Sequence, residues 1–282
     1  SFALGTSQVG LPGSCAGPID LISWDLHWRG NKHQAKITCN HLFVGASRFS
    51  AFLHPLPQTA GRAVGSGKPY LQRHDRLFGA SPFERMMQHE GTIIVLYQIP
   101  EDDLTPYVNC FLPKTHTWCE QEGWIFSDFG DFYVGLRIIG KYRWEDLHES
   151  GQDGNWSDGW LLRIEDLHTG VVLEAVEADQ AESFRDFCAS RCGAHFDLSG
   201  WPGEGRITVD TVAGHRLEMA YEGPHSIDGE RIDYNAYPLF DGPGVDAPTD
   251  TGKITFRHDG DELTLDFDIN QGAAVLPMRV IG

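Results

Sequence analysis

Residues 83–100 read FERMMQHEGTIIVLYQIP, and the strand that they predict sets the fold of the chain. Residues 92–99 form an almost unbroken apolar run, rich in Ile and Val, which is typical of a strand buried on both faces. The polar residues Gln88, His89 and Glu90 stand immediately before this run. Such a cluster is either a functional site held on a rigid strand or a hydrogen-bonded polar plug at the edge of a sheet.

Further strand-like runs occur in pairs along the chain. Most pairs flank a short polar or glycine-containing turn, which is the pattern of a β-hairpin. The pairs are 19–28 with 35–44, 124–129 with 131–139, 160–165 with 171–176, 207–212 with 215–221, and 253–258 with 262–269. Because sheets built from hairpins bury one face against each other, we predict an all-β fold: a large antiparallel β-sandwich of the supersandwich-like kind.

One segment follows a helical pattern. Asp179 can cap a helix, Glu182 completes a capping box three residues later, and Gly193 is a stop signal. We therefore predict one α-helix near residues 179–192. Residues 1–17 are rich in Gly, Ser and Pro and are interpreted as a lead-in segment, and residues 18–282 as a single β-sandwich domain.

The composition limits the classes of partner. Lys and Arg number 22 against 40 Asp and Glu, which gives a net charge of −18. A basic footprint is needed to bind the nucleic-acid backbone or an anionic membrane surface, so neither partner is expected. No apolar run approaches the length of a membrane-spanning helix.

The start of the chain shows neither an initiator Met nor the pattern of a signal peptide. We therefore expect a processed chain or a piece of a longer protein, and favour a secreted or periplasmic location over a cytoplasmic one. The chain has six cysteines, and none has zinc-finger spacing: Cys15, Cys39, Cys110, Cys119, Cys188 and Cys192. An even number allows disulfides, but free thiols are favoured in a chain of this length.

Three segments carry a resemblance to a known family: SPFERMMQHEGTIIVLYQIP at 81–100, WIFSDFGDFYVGLRIIGKYRWED at 124–146 and SFRDFCASRC at 183–192. Together they resemble the C-terminal β-sandwich region of heparinase II/III-like polysaccharide lyases and related uronic-acid-active glycosidases. The resemblance implies an upstream catalytic α/α-toroid that is not part of this chain. In the lyases a Gly-His-Asn-type motif enters a strand near the cleft; here His89 matches in kind, and Glu90 stands in place of the amide.

His89 and Glu90 are the candidate catalytic residues. A neutral imidazole can remove a proton from the carbon next to a uronate carboxyl, and a carboxylate can orient that imidazole. Alternatively, Glu90 as a carboxylic acid could protonate a glycosidic oxygen, with a second carboxylate opposite. Consecutive strand residues point to opposite faces, so the two side chains can share a target only if a turn at Gly91 redirects one of them.

Other residues are candidates for binding. His41, His74 and Asp75 could ligate a structural divalent metal, zinc or calcium, if the strands bring them together; ordinary histidines are the alternative. Trp156, in a polar loop, and Trp201 could stack on sugar rings, although most tryptophans pack in cores. Arg73 and Arg143 could pair with a uronate or sulfate, in competition with local ion pairs.

The resemblance implies that this chain is the β-sandwich part of a carbohydrate-active enzyme acting on acidic, uronic-acid-containing polysaccharide, with β-elimination favoured. The expected partners are an acidic polysaccharide or oligosaccharide and an α/α-toroid domain or chain. The alternatives are an accessory domain of a glycoside hydrolase, or a non-catalytic β-sandwich module that either binds glycan or protein or has a purely structural role.

Overall fold

A computed structural model of the chain describes residues 2–6, 24–29, 36–41, 81, 83–103, 106–147, 159–234, 240–242, 244–248 and 252–266. Within these residues the chain is all-β, with 21 strands and one α-helix. It divides into two compact units, Ser1–Gly229 and Glu230–Gly282, where the sequence predicts one domain over 18–282.

The described residues of the first unit form sixteen strands, a 3-10 turn at Ala178–Gln180 and the helix α1 (Phe184–Gly193). Its strands are β1 (Phe2–Thr6), β2 (Trp24–Trp28), β3 (Lys36–Asn40), β4 (Glu84–His89), β5 (Thr92–Gln98), β6 (Val108–Pro113), β7 (Cys119–Gln121), β8 (Trp124–Asp128), β9 (Phe132–Ile139), β10 (Tyr142–Leu147), β11 (Gly159–Ile164), β12 (His168–Glu177), β13 (Phe196–Asp197), β14 (Arg206–Asp210), β15 (Arg216–Ala220) and β16 (Ser226–Ile227).

Two six-stranded antiparallel sheets form the sandwich. The first sheet has the order β1-β2-β3-β6-β11-β10, and the second has the order β4-β5-β12-β9-β8-β7. Their facing side chains make one hydrophobic cluster that includes Leu26, Cys110 and Leu162 from the first sheet and Val95 and Leu173 from the second. Burial of these apolar surfaces away from water is the main force that holds the two sheets together.

The strand β5 is buried on both faces, as its sequence predicts. Side chains alternate between the two faces of a strand. Ile93, Val95 and Tyr97 therefore lie in the cluster between the sheets, while Ile94 and Leu96, equally inaccessible to water, point to the opposite face. A third layer covers that opposite face.

This third layer consists of α1 and a small sheet in which β13, β14, β15 and β16 pair in chain order. Phe187 of α1 packs edge-on against Phe126 of β8 with the ring centroids 5.9 Å apart. Trp124, also on β8, contacts Phe196 of β13. The helix begins at Phe184 rather than near Asp179, because the Ser183 hydroxyl accepts a hydrogen bond from the Asp186 backbone N–H and caps it.

In the second unit, the part of the chain that the structure describes forms five strands: β17 (Glu230–Arg231), β18 (Phe240–Gly242), β19 (Val245–Ala247), β20 (Lys253–His258) and β21 (Asp261–Asp266). The last four pair in chain order as an antiparallel sheet. The hairpin β20–β21 confirms the pairing predicted for residues 253–269. It turns at Asp259 and Gly260, which both have a positive φ.

Two features of the first unit differ from the sequence prediction. Phe2–Thr6, within the expected lead-in segment, is a strand because Phe2 and Leu4 alternate and pack against the core cluster. The runs 160–165 and 171–176 do not pair as a hairpin. β11 joins β6 and β10 in the first sheet, whereas β12 joins β5 and β9 in the second. No helix in the described part of the chain is long and apolar enough to cross a membrane.

Candidate functional site

The turn between β4 and β5 carries the polar residues that precede the apolar run. His89 is the last residue of β4 and pairs with Thr92, so Glu90 and Gly91 form a two-residue hairpin turn. Glu90 has φ +49°, in the left-handed region, and this conformation turns its side chain away from the strand direction. The turn that His89 and Glu90 need in order to share a target is therefore present.

Gly91 fixes this turn against β12. Its carbonyl accepts a hydrogen bond of 2.8 Å from the Ala175 backbone N–H. A Cβ atom added to Gly91 would lie 2.2 Å from the Ala175 carbonyl oxygen, which no relaxed contact permits. Only glycine allows the hairpin to approach β12 so closely.

The turn between β14 and β15 brings a second histidine to the same place. The Thr211 N–H donates to the His215 carbonyl at 2.8 Å, and the His215 N–H donates to the Thr211 hydroxyl at 3.1 Å. Gly214 supplies the positive φ of 89° that this tight turn needs. These contacts hold His215 at the start of β15.

His89, Glu90 and His215 form a compact cluster. One potential ligand atom from each lies within 4.8 Å of the others, and among the residues that the structure describes no other group of three or more His, Cys, Asp or Glu side chains comes as close. The two imidazole rings meet edge to face with their centroids 4.7 Å apart. Glu90 is exposed and both histidines are partly buried, so the cluster is open to solvent on one side.

Asp228 orients the imidazole of His215. Its Oδ2 lies 2.7 Å from His215 Nδ1, and its Oδ1 accepts a 2.7 Å hydrogen bond from the Arg216 N–H. The hydrogen bond with Asp228 raises the pKa of His215 above its ordinary value, and the Arg216 N–H and then His215 lower the pKa of Asp228. Because Nδ1 is engaged, Nε2 is the nitrogen that His215 offers to the cluster.

His89 has an unsatisfied nitrogen. Its Nε2 is buried and has no hydrogen-bond partner among the described residues. Buried polar atoms in proteins are almost always paired, so an orphan at the edge of an open cluster indicates a place for a ligand atom.

A buried carboxylate joins the two turns. Glu174 of β12 is fully buried, and its Oε1 accepts hydrogen bonds from the Thr92 hydroxyl at 3.1 Å and from the Val212 N–H at 2.8 Å. Arg191 of α1 donates to Glu174 Oε2 at 2.6 Å and to the Asp210 carbonyl at 2.8 Å. One side chain thus ties the strand that follows His89 to the turn that precedes His215.

Two of the predicted binding residues lie away from the cluster. Arg143 is exposed on β10, in the first sheet, where it forms ion pairs with Glu145 and Glu165. Trp201 donates from Nε1 to the His168 carbonyl at 3.4 Å. His168 begins β12, and Glu174 lies six residues along the strand, so Trp201 is roughly 20 Å from the turns that form the cluster.

Of the three predicted metal residues, only His41 lies in the described part of the chain. His41 is buried, with Nδ1 2.7 Å from the Ser81 hydroxyl and Nε2 3.4 Å from Asp103. Both of its nitrogens are therefore engaged by neighbours other than the expected ligands. Four predicted residues lie outside the described part of the chain: Arg73, His74, Asp75 and Trp156.

Sequence reasoning missed His215, Asp228 and Glu174. The hairpin that carries His215 was recognised, but nothing in the sequence relates this turn to His89. Glu174 is hidden within the apolar run of β12.

A comparison of the chain with known protein families and with curated proteins found no match in either. A functional conclusion therefore has to rest on the geometry of the cluster.

Proposed function

We propose that His89, Glu90 and His215 bind a divalent transition metal, with zinc as the best fit. The observation that carries this proposal is the convergence of the three ligand atoms within 4.8 Å of one another. Two imidazoles and one carboxylate are a common ligand set for zinc, whereas calcium prefers oxygen ligands alone. Three protein ligands leave a fourth position for water or a substrate atom.

The outer contacts support the same proposal. A histidine that binds metal through one nitrogen almost always donates the other N–H to a carboxylate, as His215 can to Asp228 at 2.7 Å. The orphan Nε2 of His89 would gain a partner. Zinc at tetrahedral bond lengths holds its ligand atoms roughly 3.3 Å apart, so the cluster must contract. The exposed Glu90 side chain can make this movement.

Zinc binding by the purified chain tests the proposal. After treatment with EDTA, we expect isothermal titration calorimetry to show one zinc ion per chain. His89→Ala and His215→Ala should bind more weakly than Asp228→Asn, since loss of an outer carboxylate alone costs about 10–100-fold in affinity. His258→Ala is the matched control, because His258 lies in the second unit with 92% of its side chain exposed.

Two results would overturn the metal proposal. One is wild-type chain that takes up no zinc. The other is His89→Ala or His215→Ala chain that keeps its circular dichroism spectrum and binds zinc as tightly as the wild type.

We propose in addition that the chain is the β-sandwich part of a carbohydrate-active enzyme acting on uronic-acid-containing polysaccharide. The specific observation in favour is that the hairpin turn directs His89 and Glu90 to one point, as acid–base chemistry on a single sugar requires. A histidine bound to metal cannot act as a base, so His89 can take the acid–base role only in the metal-free chain. A bound cation would attract the carboxylate of a uronate and offset locally the net charge of −18.

Assays on uronate polysaccharides test this second proposal. We expect ultraviolet absorbance from unsaturated uronates if the reaction is β-elimination, and new reducing ends without that absorbance if it is hydrolysis. The assays are run with zinc and with EDTA, on the wild type and on His89→Ala. Silence in both assays, together with no binding on a glycan array, would contradict an action on carbohydrate by this chain.

A further inference from the structure

Two cysteines lie directly opposite each other on neighbouring strands of the first sheet. Cys39 of β3 and Cys110 of β6 are direct partners in the antiparallel register of these strands. Both side chains point into the core cluster between the two sheets, and both are inaccessible to water. Both are free thiols in this structure.

Their backbone placement suits a covalent bond. Residues directly opposite on antiparallel strands have Cα atoms about 4.5–5.5 Å apart, and disulfides accept Cα separations of about 4.4–6.8 Å. The Cys110 thiol is close enough to raise the pKa of the Cys39 thiol, after the larger effect of burial. Directly opposite strand residues have Cβ atoms about 4.5–5.5 Å apart, so rotation of the two side chains with a small approach of the strands can join the sulfurs.

We propose that Cys39 and Cys110 form an intramolecular disulfide when the chain folds in the presence of a disulfide oxidant. With oxidised glutathione, the Cys39 or Cys110 thiolate attacks the glutathione disulfide and releases one glutathione thiolate. The second cysteine then attacks the mixed disulfide and releases the other. The two protein thiols lose two electrons and two protons, and one glutathione disulfide becomes two glutathione thiols.

Burial determines when this reaction takes place. The thiolate is the attacking species, and the raised pKa of buried Cys39 keeps it protonated. No glutathione molecule can reach a side chain with no exposed surface. The bond therefore forms while β3 and β6 are still open to solvent, and once the sandwich closes it is protected from reductants.

The other described cysteines provide an internal comparison. Cys188 and Cys192 are four residues apart on α1, where Cβ atoms are about 5–6 Å apart, which is longer than the Cβ separation of a disulfide. Cys119 is exposed on the edge strand β7. The structure gives none of these three a partner directly opposite on a neighbouring strand.

Mass spectrometry after refolding tests the proposal. The whole chain is unfolded and reduced, then refolded in a glutathione redox buffer containing EDTA, so that metal binding has no influence. It is next unfolded again with iodoacetamide and without reductant, and digested. We expect a peptide pair joined between Cys39 and Cys110, and alkylated Cys119, Cys188 and Cys192. Complete alkylation of Cys39 and Cys110 in chain that had regained its folded spectrum would overturn the proposal.

Thermal unfolding gives a second measurement. Wild-type chain that has been unfolded, reduced and refolded with dithiothreitol should have a lower Tm than oxidised wild-type chain. The double variant Cys39→Ala, Cys110→Ala should show no such difference between the two treatments, whereas Cys188→Ala should keep it. A difference of equal size in the double variant would overturn the assignment to this pair.

Discussion

At His215, one carboxylate sets both the orientation and the protonation of the imidazole. The hydrogen bond with Asp228 favours the charged form, which raises the pKa of His215 above its usual value of about 6.5. The stabilisation from this pair is therefore complete between about pH 4 and pH ~6.5, the usual pKa values of aspartate and histidine, and is lost as the pH rises through the raised pKa of His215. On the acid side it is lost as the pH falls through the lowered pKa of Asp228.

A histidine titration checks this environment. In metal-free chain, we expect the NMR signals of His215 to titrate above pH ~6.5, and those of Asp228→Asn chain to titrate closer to the ordinary value. His258, in the second unit, serves as the reference signal. If His215 titrates at the same pH in both chains, Asp228 does not hold the imidazole.

Gly91 allows a prediction about stability. Gly91→Ala should destabilise the first unit by about 1–3 kcal/mol or more, because the new Cβ would meet a backbone oxygen that cannot move aside. Gly193→Ala, at the end of α1, meets no atom within 4 Å and should change the free energy of unfolding by less than ~0.5 kcal/mol. Urea unfolding measures both, and equal stability of the two variants would show that the hairpin can retreat from β12.

The residues of the site were only partly predictable. The position of Gln88, His89 and Glu90 before an apolar run points to one turn of the candidate site, since a strand boundary can be recognised from local pattern. His215 and Asp228 could not be identified in the same way. Their approach to His89 depends on how the third layer packs on the second sheet, and no local pattern records such packing.

At the scale of elements, the Glu174–Arg191 pair connects α1, β12 and the turn before His215. Because both side chains are almost completely buried, removing the cation leaves a carboxylate without compensation in the core. Arg191→Met should therefore destabilise the chain by about 3–5 kcal/mol and also weaken zinc binding, since Glu174 anchors the Val212 N–H.

An exposed ion pair is the matched control for this change. Arg143→Met removes an ion-pair partner of Glu145 and Glu165, and 52% of the Arg143 side chain is exposed. Because water screens exposed ion pairs, this change should lower the free energy of unfolding far less than Arg191→Met does. Unfolding in urea and calorimetry with zinc measure both variants. Unchanged zinc affinity in folded Arg191→Met chain would contradict a positioning role for the pair.

The elements themselves were largely predictable, and their pairing less so. Period-two alternation identified β8, β9, β14 and β15 with their hairpins. The same alternation in β11 and β12 suggested a hairpin that does not exist, because a strand shows the same pattern whichever sheet it joins. The Ile99 N–H donates to the Leu167 carbonyl at 2.8 Å in the segment where the chain crosses between sheets, and this long-range contact has no sequence signal.

At the scale of the whole molecule, the chain has two compact units. The cluster of His89, Glu90 and His215 and its outer partner Asp228 all belong to the first. The sequence predicts one domain over residues 18–282, because strand-like patterns continue to the end of the chain. The prediction of an all-β protein with one helix is confirmed.

A shortened chain tests the independence of the first unit. We expect a fragment of residues 1–234, which includes Asp228 and the residues on either side of it, to fold. It should bind zinc with the affinity of the full chain. Circular dichroism and calorimetry measure these two properties. An unfolded fragment would show that the first unit needs the second for its stability.

The position of β12 in the second sheet also governs how the chain folds. β5 and β9 are each able to form a local hairpin, β4–β5 and β8–β9, as soon as their own residues are available. β12 follows them in the chain yet fits between them. Until it arrives, β5 and β9 each expose an unpaired edge, and such edges are the usual starting points of aggregation. Because β12 must insert between two strands that precede it, we expect the chain to fold slowly, in about milliseconds to seconds. We also expect it to need a chaperone at high protein concentration.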